Sequence, residues 1–150
     1  MNRKMLQDLS TVRLAEARAL LKAKFPDGAY YLGGYAVECA LKARIAKRTQ
    51  QHDFPDKKLV EKSYQHDLVT LLAAAGLDKD FKEATDLDLD LKEDWNEVKD
   101  WTEQRRYDLF YLPNEQDSVR RRACQSLARL FLDSVENSSG GVLPWIRRRW

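Results

Sequence analysis

The stretch Asp27–Arg48, DGAYYLGGYAVECALKARIAKR, constrains the fold of this chain more than any other. At 100° per residue, Leu32, Ala36, Cys39, Ala43 and Ala46 fall on one line, and Ala29, Gly33, Val37, Ala40 and Leu41 widen that apolar face past half the circumference, with Ile45 at its far edge. A helix this apolar is packed from several sides, and its many small residues let neighbouring backbones approach. It is therefore expected at the centre of a bundle. The narrow remaining stripe, Tyr31, Tyr35, Glu38 and Lys42, sets two phenols and an i,i+4 Glu–Lys pair along an otherwise buried element. That stripe is the first place to look for function.

A chain of 150 residues buries a real core as one domain without disulfides or metal. Charged residues make up 33% of it, which favours a helix-rich soluble protein. There is no apolar run long enough to span a bilayer, and MNRKMLQDLSTV lacks a signal core, so the expectation is a cytoplasmic protein without membrane contact. Cys39 and Cys124, far apart and without a secretory signal, read as two small buried hydrophobes rather than a disulfide. Two histidines and no closely spaced Cys/His cluster argue against a structural zinc. The net charge of +2 hides an acidic middle, because residues 78–100 hold ten acidic and four basic side chains while both flanks are basic. Middle and flanks can attract each other within one chain or between two.

Taken in order, a first helix is expected from Asp8 to Lys24, with Leu9, Val12, Ala15, Ala19 and Leu20 on its apolar face and Arg13 and Arg18 mostly outside. Phe25-Pro26-Asp27-Gly28 breaks it, with Asp27 as N-cap of the central helix, and so short a connection makes the two an antiparallel hairpin. A short helix, Lys57–Ser63, follows a polar loop. His66-Asp67-Leu68 then opens a compact helix ended by Gly76. Asp78–Asp90 reads as a loop or weak helix, Lys92–Tyr107 as a helix, and Leu109–Asn114 as a loop with large apolar side chains. The last long helix, Glu115–Glu136, carries Val119, Ala123, Leu127, Leu130, Phe131 and Ser134 at helical spacing. Asn137–Gly141 reads as a flexible hinge before a basic, aromatic tail, so residues 1–136 form the domain and 137–150 an appendage with two exposed tryptophans.

DGAYYLGGYAVECALKA, His66-Asp67-Leu68 with Leu71-Leu72, and Arg106-Tyr107-Asp108 together resemble the HEPN domain, a prokaryotic all-α family associated with nucleotides and RNA. The likeness covers about residues 8–136. It implies an up-and-down bundle of four to five helices, a homodimer, and a role in a toxin–antitoxin or defence module beside a minimal nucleotidyltransferase antitoxin. It implies either a metal-independent ribonuclease or an RNA- or nucleotide-binding protein, with no cofactor. The ribonuclease members carry Arg followed after about four to six residues by His. Here the nearest spacing, Arg48-Thr-Gln-Gln-His52, is one residue short and in a loop.

Each candidate residue has a functional and a structural reading. His66 is a general acid/base or a helix-opening residue beside Asp67. Arg106, with the adjacent Arg105 and Tyr107, stabilises a phosphate or forms salt bridges to Glu38, Glu103 or Asp108. Tyr31, Tyr35, Glu38 and Lys42 line a cleft for a base or phosphate, or Glu38 and Lys42 form a plain surface pair. Arg147, Arg148 and Arg149, between Trp145 and Trp150, contact nucleic acid or dock on the acidic 78–100 segment. From a different class comes a non-catalytic helical dimerisation or protein-interaction module.

Overall fold

The structure, a computed structural model, describes residues 1–49, 56–107 and 118–150. The fold is all-α, and no strand occurs among the described residues. In order the helices are α1 (Arg3–Lys22), α2 (Pro26–Arg48), α3 (Lys57–Ser63), α4 (Leu68–Ala74), α5 (Asp78–Leu87), α6 (Leu89–Val98), α7 (Ser118–Val135) and α8 (Val142–Arg147), with a 3-10 turn at Glu103–Tyr107.

Helix α2 is the centre of the bundle. It packs against α1, α4, α7, α8 and the 3-10 turn, and most of its residues are buried. Its glycines set the spacing: a Cβ on Gly33 would lie 2.4 Å from Leu132, and one on Gly34 would lie 2.3 Å from three atoms of the Trp101 ring. Pro26 opens the helix at its first turn, where a missing N–H costs nothing, and Asp27 sits inside that turn rather than capping it. Phe25 holds the cap position without a side-chain bond.

The α1–α2 hairpin is antiparallel, with Leu20 against Gly28 near the turn and the Ser10 hydroxyl donating to the Ala36 carbonyl further along at 2.8 Å. The face α1 buries is Leu6, Ser10, Leu14 and Ala17. Val12, Ala15 and Ala19, expected inside, are exposed. Small residues on α2 allow close approach, so a seam of Ser and Ala fits there as well as a line of larger apolar side chains. Helix α1 also starts earlier than expected, at Arg3, because the Asn2 side chain caps it by accepting from the Met5 N–H.

Helix α3 has the expected bounds, and α4 is capped by Asp67, whose carboxylate accepts from the Thr70 N–H at 2.7 Å. Gly76, at φ +67°, turns the chain where an added Cβ would meet the Arg48 guanidinium. Arg48 in turn donates to the Ala74 carbonyl. The acidic 78–98 segment is two helices with Asp88 capping the second, so the expected Lys92–Tyr107 helix is corrected: it starts at Leu89 and stops at Val98. Trp101, fully buried, follows in non-helical backbone.

The tail is the largest departure. Val142, Leu143, Trp145 and Ile146 of α8 are core residues, and Phe81 meets the Trp145 ring edge-on at 4.7 Å. Trp150 is partly buried rather than exposed. Hydrophobic burial therefore holds this segment against α2, α6 and α7. On α7 only Phe131 and Ser134 of the expected face are buried, with Ala128, Leu132 and Val135 completing the actual seam. His52 and the 109–114 loop lie outside the described residues.

Candidate functional site

The α2 stripe meets the residue that precedes α4. Glu38 is 2% exposed, which forbids leaving its carboxylate without partners. Lys42, one turn on, brings Nζ to 2.8 Å from Oε1. His66, positioned by the Asp67 cap of α4, places Nδ1 3.1 Å from both carboxylate oxygens. A carboxylate only accepts, so Nδ1 carries the hydrogen and the neutral ring keeps its lone pair on Nε2. The imidazole side chain is 43% exposed with its inner nitrogen on a buried group. Nε2 therefore faces outward as a base, or as an acid when protonated.

Beside this cluster the Tyr31 and Tyr35 rings lie nearly parallel, 14° apart with centroids 6.2 Å from each other, and Tyr31 rests 6.0 Å from Trp101. Burial raises the Tyr35 pKa above its usual value, and the neighbouring Cys39 and Glu38 add to the rise. Burial and Glu38 push the Cys39 thiol up to about 12, while a hydrogen bond from Tyr35 pulls the other way. Arg13 of α1 is close enough to lower both groups' pKa values and also pairs with Glu16. Arg13 was expected outside. Its only signal in the sequence is its place at the border of the α1 apolar face.

Tyr31, Tyr35, Glu38, Lys42 and His66 thus converge as one surface. Glu38 is too buried to touch a ligand itself and acts through the groups it holds. Its partners are Lys42 and His66, and not Arg105 or Arg106. The other candidates lie elsewhere. The Arg105 guanidinium stands 5.5 Å from the Tyr30 ring, beside a cavity of about 330 Å³ lined by Asp27, Glu97 and Leu127. Arg106 is exposed over the ring of exposed Tyr107 at 4.9 Å. Arg147 pairs with Glu136 at 2.7 Å, and Arg18 of α1 grips the same carboxylate at 2.9 Å. Arg149 lies 3.5 Å over the Trp145 ring and donates to that residue's carbonyl. Of the three, Arg148 is exposed and Arg147 and Arg149 are half-buried.

Cys39 is buried and Cys124 half-buried, and neither forms a disulfide. Among the described residues no group of three or more His, Cys, Asp or Glu side chains is placed to hold a metal ion, and no helix is long and apolar enough to cross a membrane. Comparison with protein-family models, with curated proteins and with solved structures found no match to this chain.

Proposed function

We propose that this chain is a HEPN-type RNA- or nucleotide-binding protein of a prokaryotic toxin–antitoxin or defence module, with His66 as the acid/base of a metal-independent RNA cleavage. The observation that carries the proposal is the buried Glu38 carboxylate, which orients Nδ1 of a half-exposed histidine and leaves Nε2 outward. In the proposed step Nε2 takes the proton of an RNA 2′-hydroxyl. The freed oxygen attacks the adjacent phosphorus, the bond to the 5′-oxygen breaks, and a 2′,3′-cyclic phosphate remains. The leaving 5′-oxygen takes its proton from solvent or from protonated His66. Lys42, on the same Glu38 carboxylate as His66, supplies positive charge beside the histidine, and the Tyr31–Tyr35 pair offers ring faces to a base. A second copy of the chain and a minimal nucleotidyltransferase antitoxin are the proposed protein partners.

Incubating the protein with RNA in EDTA tests this. Cleavage with cyclic-phosphate ends, lost in His66→Gln, is the expected result. Cleavage unchanged by that substitution removes His66 from the chemistry, and binding without cleavage reduces the proposal to its binding half. The exposed apolar face of α7 favours a second reading, a protein-interaction module. RNA binding weakens steeply as salt rises, whereas an apolar protein contact does not, so a salt titration separates the two.

A further inference from the structure

Helix α3 contributes no buried residue and holds to the core through half-buried Leu59. Its start is set locally, by the Asp56 carboxylate, which accepts from the Lys58 N–H at 2.9 Å. A helix of seven residues packed so lightly adds little to stability, because one this short is marginal in water by itself. Its surface carries charge and one ring. Lys57, Lys58 and Lys62 are exposed against a single acid within the helix, Glu61, and Tyr64, at its C-terminal cap, is 76% exposed.

At 100° per residue, with Leu59 inward, Lys57 and Tyr64 lie on the outer side of α3, and Lys58 and Lys62, one turn apart, share a flank. Lys57 stands 3.8 Å from Glu61, whereas Lys58 and Lys62 have no ion pair among the described residues. His66 follows Tyr64 by two residues, which keeps their Cα atoms within about 7 Å of each other. The segment that delivers the outward Nε2 of His66 therefore also carries an exposed aromatic ring and two cations without acidic partners.

We infer that α3 and Tyr64 form the substrate platform of the His66 site and that this platform takes an unpaired RNA strand, an inference that rests on the RNA cleavage proposed above. Lys58 and Lys62 hold phosphates of the strand, and the Tyr64 ring stacks on a base beside the phosphate presented to His66. Cations set around an exposed aromatic ring suit a single strand, because its phosphates pair with the lysines and each unpaired base offers a face to the ring. A duplex hides those faces, so the ring selects against it. The platform is distinct from the Tyr31–Tyr35 pair, whose half-buried rings lie on α2. It grips substrate and transition state alike, so it sets KM rather than kcat.

Fluorescence anisotropy with a labelled, unpaired 2′-O-methyl RNA, which has no free 2′-hydroxyl and stays uncut, tests the platform on the full chain. Tyr64→Ala should weaken binding by about 5- to 150-fold and leave binding of the same strand in a duplex unchanged, while Tyr64→Phe, which keeps the ring, should bind as wild type. Lys58→Gln with Lys62→Gln should lower the slope of log affinity against log salt by about 1.4, at roughly 0.7 per phosphate contact. With cleavable RNA, Tyr64→Ala and the lysine pair should raise KM and leave kcat unchanged. All three side chains are exposed, so far-UV circular dichroism should not change. Wild-type affinity and salt slope in these variants, a duplex bound as tightly as the single strand, or a fall in kcat at constant KM overturns the platform, and cleavage that still depends on His66 then leaves the proposed function standing. A wild-type chain that neither binds nor cuts RNA overturns the proposed function and the platform with it.

Discussion

Gly34→Ala places a methyl group 2.3 Å from three atoms of the Trp101 ring, a separation real side chains do not hold. Two effects oppose. Alanine favours the helix by about 1 kcal/mol over glycine. Against that, Trp101 is fully buried, and expelling the indole forfeits about 200 Å² of burial, roughly 5 kcal/mol at 25 cal/mol per Å². A shift of α2 away from the Trp101 segment avoids expulsion but carries the usual overpacking cost of about 1–3 kcal/mol. With three ring atoms at 2.3 Å the shift falls at the upper end of that range, so less the alanine gain the loss runs from about 2 kcal/mol by shift to about 4 kcal/mol by expulsion, or roughly 4–16 °C in Tm for a chain of this size. Urea unfolding followed by circular dichroism measures it. Trp101→Leu in the same molecule frees space, so the double variant should lose clearly less than the two single losses combined. A Gly34→Ala protein as stable as wild type, or strict additivity, would refute the packing account.

Trp145→Ala should destabilise the fold by about 3–5 kcal/mol, as for other buried aromatics, because α8 belongs to the core; a change under about 1 kcal/mol in urea unfolding would mean the tail is an appendage after all. Cys39 should resist iodoacetamide in the folded protein at pH 8 and react fully in denaturant, read by mass spectrometry, and fast labelling of the native protein would contradict its burial. Its raised pKa has a definite sign. The thiol's contribution to stability is full below its ordinary value of 9.0 and is lost as pH climbs through about 12, so Cys39→Ala should flatten the alkaline limb of the stability curve.

The central helix was legible from its apolar residues alone, since wide burial shows as a nearly continuous apolar face. Helix α3 and the start of α4 were legible for a local reason, the capping carboxylates Asp56 and Asp67. The seams of α1 and α7 were not. Both helices carry apolar residues on two faces, and which face turns inward depends on the neighbour: Ser10 wins its place through the Ala36 carbonyl, while Val12 and Leu127 stay outside. The tail misled for a related reason. Three arginines between two tryptophans read as an appendage for nucleic acid or for the acidic segment, whereas Glu136 and the Trp145 ring each hold one against the core. At the candidate site the Tyr31–Tyr35–Glu38–Lys42 stripe was visible as a periodicity. Its contact with His66, 28 residues beyond Glu38, is a tertiary fact that no spacing rule contains.

The most direct test of the functional account watches His66 itself. Proton–nitrogen correlation spectra of the imidazole rings, with His66→Gln to assign the signals, report which nitrogen is protonated and whether a ligand reaches the ring. The account predicts an Nδ1–H tautomer in the free protein and a shift of the Nε2 signal when single-stranded RNA is added, reversed by high salt. An Nε2–H tautomer, or RNA that binds elsewhere and leaves the His66 signals in place, would contradict it.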